Sequence, residues 1–187
     1  MTADTLAALP RWRAFVALGG NQGDVPATFV AALAAMAALP ATSVEAMSSL
    51  YRTRPFEAEG PDFVNAVVAL QCGLGPQELM SALLGIEQAH GRTRAHHHAP
   101  RTLDLDLLWF GDAQRHTAAL TLPHPRMMGR AFVLTPLSEL MQGLASAGLA
   151  GEPASVVGPG LPATGDCACL AAEQGVQMLG PWPGEKA

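Results

Sequence analysis

The sequence predicts an α+β domain with the element order β-α-β-β-α-β, and three observations carry that expectation. Four stretches have the length and composition of strands. Two have the apolar spacing and the end signals of helices. The two kinds alternate in that order from Arg13 onward. Such an order makes one antiparallel sheet with both helices on one face and the other face open for a site, the ferredoxin-like arrangement.

The first strand is read in WRAFVALGGNQGD, from Arg13 to Leu18, closed by a glycine turn. Asp24 suits the N-cap of the helix that follows, with Pro26 in its first turn and Pro40 beyond its end. TSVEAMSSLYRT reads as the second strand and the valine-rich DFVNAVVALQC as the third, with turn residues in RPFEAEGP between them. GPQELMSALLGIEQAHG is the second helix: Leu79, Leu83 and Ile86 share a face, and Gly91 supplies its stop. A loop of arginines and histidines then leads to the fourth strand, in APRTLDLDLLWFGD. Beyond Leu140 the chain turns to Gly, Ala and Pro, where a short helix near Cys167–Gln177 and little function are expected. Residues 1–187 thus read as a single domain, with a catalytic core over 13–140 and an extension over 141–187.

Composition excludes several classes. With 49% hydrophobic and 14% charged residues the chain is not a disordered protein. Its start lacks the layout of a signal peptide, and its longest apolar run, FVAALAAMAAL, is too short to span a bilayer. Cys72, Cys167 and Cys169 are odd in number, lack metal-site spacing and read as reduced thiols, so a soluble cytoplasmic protein is expected. Charge is uneven: Arg92 to Arg130 holds six arginines and three aspartates, a local +3 in a chain of net −5. A small arginine island in an acidic chain suits a compact anion such as a nucleotide phosphate, although near-absence of lysine makes part of the excess a compositional habit.

The fourth strand carries the chemistry. Side chains alternate along a strand, so Asp104 and Asp106 face one way, about 6 to 7 Å apart, while Leu103, Leu105 and Leu107 face the helices. Taken alone, DLD is better explained as a solvated strand face with incidental acids. Arg92, Arg94 and Arg101 change that balance: acids for a hard cation and arginines for phosphate, within fifteen residues, are the minimum equipment for nucleotide chemistry. Neither a P-loop nor the protein-kinase motifs are present. On the third strand Phe63 and Asn65 lie at i and i+2, so a ring and an amide can converge on one flat heterocycle.

PRTLDLDLLWFGD, preceded by GRTR and followed by LTLPHPRMMGRAFVLTPLSEL, closely resembles the 6-hydroxymethyl-7,8-dihydropterin pyrophosphokinase family of folate biosynthesis. YRTRPF and PDFVNAVVAL are similar to its pterin-side segments and LGGNQGD to its opening strand and turn, so that the resemblance covers Arg13 to Leu140. It implies transfer of the β,γ-pyrophosphoryl group of ATP to the pterin hydroxymethyl group, with release of AMP and assistance from two Mg2+ ions. It also implies that Asp104 and Asp106 bind both metals and that Arg92 and Arg101 hold the phosphates during transfer, with Arg94 nearby. Glu87, Leu107, His124 and Arg130 match nucleotide contacts, and the pterin would lie among Thr53, Phe56, Phe63, Asn65 and Phe132. The sequence departs from the family at His98, which stands nearest to a stacking tryptophan, at Leu84 in place of a glutamine, and at Arg54 in place of a proline. Arg126 lies in a segment that varies, and the loop RTRAHHHAPR is one residue shorter.

The expected partners are two small molecules, ATP and the pterin, with no nucleic acid, no membrane, and a monomeric chain. His96, His97 and His98 are adjacent on a loop and rarely converge without further ligands, so no structural zinc is expected. A ferredoxin-like RNA-binding module is opposed by the two acids and by the missing stacking aromatics. A metal-dependent phosphohydrolase using the same acids and arginines stays open as the alternative.

Overall fold

The computed structural model describes residues 11–55, 60–91, 101–149 and 164–184. Its strands are β1 (Trp12–Gly20), β2 (Thr42–Met47), β3 (Leu50–Thr53), β4 (Phe63–Cys72), β5 (Asp104–Phe110), β6 (Arg115–His116), β7 (Thr121–Leu122) and β8 (Gln177–Gly180). The helices are α1 (Val25–Ala37), α2 (Pro76–Ala89), α3 (Ala131–Ser146) and α4 (Thr164–Glu173), with a 3-10 turn at Met127–Gly129 before α3. An antiparallel sheet runs β5-β1-β4-β3-β8, with β2 also paired to β4, and β6 and β7 form a small separate ladder.

The local signals act as expected. Asp24 accepts the Ala27 N–H at 3.1 Å, and Pro26 lies in the first turn of α1. The chain leaves α2 through Gly91 at φ +83°, a left-handed conformation that costs glycine no Cβ clash. Phe29 and Met36 of α1 and Leu79 and Leu83 of α2 pack on Val16, Leu18, Leu105 and Leu107, all buried. Each such side chain contributes about 1.5–3 kcal/mol by leaving water.

Three features depart from the sequence reading. The expected second strand is broken at Ser48 and Ser49 into β2 and β3. The break is stable because its backbone groups find other partners: Ser48 N–H donates to Val67 O and Ser49 N–H to Glu139, each at 2.9 Å, while Ser48 Oγ accepts the Val67 N–H at 3.0 Å in return. The second sheet face is not left open. Val133, Leu137, Leu140 and Leu144 of α3 bury themselves against Phe15, Val67, Ala69 and Leu108. Pro136 inside α3 hides this helix from a sequence reading, since it removes one backbone donor. The segment after Leu140 is also more than a tail. β8 extends the sheet, and Trp182 is buried, with its Nε1 donating to Ser48 O at 2.7 Å and its ring 5.8 Å from Phe29.

Leu108 faces that second core by the ordinary alternation of the strand, on the same side as Asp104 and Asp106. A bulge follows: the register of β5 on β1 shifts between Phe15 and Val16, so that Leu108 and its neighbour Trp109 both pack on the α3 side before Phe110 returns to the other core.

Tyr51, the chain's single tyrosine, donates to Glu139 Oε2 at 3.0 Å and ties β3 to α3. Burial, and then the neighbouring carboxylate, hold its pKa well above the ordinary 10.0. A raised phenol pKa means that the folded state keeps its proton where the unfolded state has lost it. The stabilisation is therefore complete below pH 10 and is lost as pH rises above it. Phenolate absorbance is expected to appear together with alkaline unfolding rather than before it. A phenolate signal from a chain that is still folded at its ordinary pH would contradict this, and Y51F should abolish the signal altogether.

Candidate active site

The end of β5 is shaped by its neighbours. Gly19 and Ala17 of β1 stand opposite Asp104 and Asp106, and Gly19 also pairs with Asn65 of β4, which pairs with Tyr51 of β3. One row across four strands therefore reads Asp104, Gly19, Asn65, Tyr51. A Cβ on Gly19 would come to 3.5 Å of Asn65 Oδ1 and 3.9 Å of Asp104 Cβ, so glycine keeps the floor between them clear. At the next position a Cβ on Gly20 would strike Thr102 O at 2.6 Å, which makes glycine a requirement of the close approach. Asn21 then holds Arg101 from both sides: its N–H donates to Arg101 O and its Oδ1 accepts the Arg101 N–H, each at 2.9 Å.

These elements enclose a cavity of about 480 Å³ on the α3 side of the sheet. Thr53, Phe63 and Asn65 line one end, with the Asn65 amide donating to Thr53 Oγ1 at 2.9 Å. Arg101, Asp104 and Asp106 line the other. Arg126, Gly129, Arg130 and Phe132 form the wall that leads into α3. Arg101 Nη1 lies 3.2 Å from Asp104 Oδ2, and Arg130 Nη1 lies 3.7 Å from Asp106 Oδ2. Both carboxylates keep part of their surface exposed, 18% and 34%. The Arg130 guanidinium also lies over the Phe132 ring, 5.5 Å from its centroid.

Cations are crowded here. Burial, then the nearby Arg126, push the Arg130 pKa down against the pull of Asp106 and Asp104; the group still carries its charge. Arg101 Nε is buried with no hydrogen-bond partner among the described residues. Such a set of donors is completed by an anion. Burial likewise lowers the pKa of His124, with Asp106 opposing and Arg130 and Arg126 assisting.

Of the residues expected at a site, Thr53, Phe63, Asn65, Arg101, Asp104, Asp106, Arg130 and Phe132 meet in this cavity. Leu107 and Glu87 do not line it: Leu107 is in the helix-side core, and Glu87 is fully buried, accepting the Leu105 N–H at 2.7 Å. His124 is not among the lining residues but lies close enough to feel Asp106, with its N–H donating to Leu108 O at 2.9 Å and its Nδ1 accepting the Arg126 N–H at 3.3 Å. Phe56, Arg92, Arg94 and His98 lie outside the described residues. Sequence reasoning missed Asn21 as the clamp on Arg101 and assigned no cavity role to Ala17 and Gly19. The signal was ALGGN, small residues followed by an amide at the strand end.

A family model described as 7,8-dihydro-6-hydroxymethylpterin-pyrophosphokinase (HPPK) matches residues 15–142. The chain belongs to this family. Among its HPPK relatives, the 2-amino-4-hydroxy-6-hydroxymethyldihydropteridine pyrophosphokinase of Synechocystis sp. is 48% identical over 127 residues, 68% of this chain and 65% of that protein. The protein of the same name from Pseudomonas aeruginosa is 45% identical over 129 residues, 68% of this chain and 80% of its own. The crystal structure of Plasmodium falciparum HPPK-DHPS wild type with STZ-DHP superposes with a TM-score of 0.54 at 14% identity. It covers 72% of this chain and 39% of the Plasmodium chain, and supports the fold alone. The match to these relatives thus ranges from about two fifths to four fifths of their length. Among the described residues no helix is long and apolar enough to cross a membrane.

Proposed function

We propose that the chain transfers the β,γ-pyrophosphoryl group of ATP to the hydroxymethyl group of 6-hydroxymethyl-7,8-dihydropterin and releases AMP. The observation that carries this reading is the meeting in one cavity of a ring and amide, Phe63 and Asn65, with acids and arginines, Asp104, Asp106, Arg101 and Arg130, the two sets adjoining where Arg130 lies over Phe132. Its volume, about 480 Å³, lies within the usual range for small-molecule sites. The names of the HPPK relatives agree with it.

Phe63 and Phe132 stack on the pterin ring, and Asn65, oriented by its bond to Thr53, reads the polar edge. Arg101 and Arg130 grip phosphate oxygens with two-pronged guanidinium bonds, joined by Arg92 and Arg94 from the segment outside the described residues. Asp104 and Asp106, now paired with Arg101 and Arg130, are the residues that would hold Mg2+, and the arginines are those that would face the phosphates. The donor set suits that ion. Asp104 and Asp106 would hold it as an acidic half-site of two carboxylates, the number that magnesium commonly takes from a protein. When bound, magnesium neutralises phosphate charge and acidifies the acceptor hydroxyl. The protein's own share of the catalysis is alignment of the hydroxyl with the phosphate and neutralisation of the developing charge.

The RNA-binding alternative needs an open sheet, and α3 packs across that face. The phosphohydrolase alternative is separated by mixing protein, ATP and magnesium with and without the pterin. AMP is expected only when the pterin is present; hydrolysis of ATP at the same rate without it would overturn the proposal.

A further inference from the structure

Helix α3 has no cap from its own N-terminus. Arg130 occupies the N-cap position and makes no side-chain capping bond, because its guanidinium is turned toward Asp106 and Phe132. The N–H of Ala131, the first helical residue, is one of the donors that helix geometry leaves without an intrahelical acceptor. Its acceptor comes from 43 residues downstream: Gln174 Oε1, at 2.9 Å. The same amide donates from Nε2 to Gly129 O at 3.0 Å. One side chain therefore holds the backbone on both sides of Arg130. This two-way grip needs a carboxamide, since a carboxylate only accepts and an ammonium only donates. Gly129, Arg130 and Phe132 all line the cavity. The neighbouring Gly175, at φ +64°, approaches the opposite wall: a Cβ there would lie 3.9 Å from Arg54 Cδ. Both residues lie beyond the 15–142 stretch that the family model matches.

We infer that Gln174 is a positioning residue of the site: it caps α3 from outside, which frees Arg130 to face the phosphates and sets the angle of Phe132 against the heterocycle. A serine or aspartate at position 130 would cap the helix locally but would leave the cavity without that guanidinium. The inference rests on the proposed pyrophosphoryl transfer and adds a residue that touches neither substrate.

The test compares Q174A and Q174E with Q177A in the full chain. Gln177 belongs to the same segment and accepts from Arg52 Nη2 at 2.8 Å, outside the cavity lining. Q174A is expected to raise KM for both ATP and pterin about tenfold, the scale of a lost hydrogen bond or two, with kcat nearly unchanged. Q174E keeps the acceptor for Ala131 but loses the donor to Gly129, and should fall between Q174A and wild type. Q177A should match wild type in KM, and Q174A and Q174E should stay folded, melting only about 2–8 °C below wild type. Unchanged KM values in Q174A would overturn the inference, as would equal impairment of Q174A and Q177A accompanied by a fall in Tm. Wild-type chain that forms no pterin-dependent AMP would overturn the proposed function and this inference with it, and that failure is visible before any substitution is made.

Discussion

AMP formation from ATP and the pterin is expected to drop about a thousandfold or more when Asp106 is replaced by alanine, the scale seen when a group that stabilises charge is removed from a reacting centre. Asp106 shares one strand face with Asp104 and lines the cavity beside Arg130. Its loss removes half of the acidic half-site and leaves the crowded guanidiniums without one of their two counter-charges. The fold should persist. The Asp106–Arg130 pair spans 3.7 Å and is partly solvated, so its contribution to stability is below about 1 kcal/mol. D106N, which keeps the shape and removes the charge, should be as inactive as D106A. AMP measured by chromatography, with a thermal melt of each variant, decides the matter: wild-type turnover in either variant would contradict the assigned role.

The second large effect is on stability. Among the described residues β5 ends the sheet and pairs with β1 alone, so backbone groups on its outer side need partners from elsewhere. Glu87 of α2 supplies one, accepting the Leu105 N–H at 2.7 Å from a fully buried position. Leu105 lies between Asp104 and Asp106, so this bond also fixes the strand on which both acids ride. E87A would strand a buried donor and open a cavity, at a cost of about 2–4 kcal/mol. For a chain of this size that corresponds to a fall in Tm of roughly 5–15 °C. E87Q retains a carbonyl oxygen for Leu105 and should recover most of the loss. An E87A variant that melts with wild type would show that β5 does not depend on this contact.

Much of the site was legible because its signals are local. Asp104 and Asp106 share a face through the period of a strand, and Phe63 and Asn65 do so for the same reason. Arg101 and Arg130 were marked by charge in a region otherwise rich in apolar residues. Glu87 was less legible. An acid near a helix end reads as exposed, and only the packing of α2 against β5 buries it. Asn21 was opaque for a similar reason: its value lies in the backbone of Arg101, 80 residues away. The second strand was misread because Ser48 and Ser49 look like ordinary strand residues until Val67 and Glu139 come to satisfy them.

By itself, then, the amino-acid order determined the α+β class, the caps and stops of α1 and α2, and the facing of the two acids, since each depends on residues within a turn or two of one another. Tertiary structure alone decided that α3 covers the second sheet face, that Trp182 completes the core 134 residues from its partner Ser48, and that Gln174 holds the wall of the cavity. Those contacts are made by groups with no neighbour in sequence that predicts them. They form because unsatisfied donors and exposed apolar faces left by the first elements find partners only once the whole chain has folded.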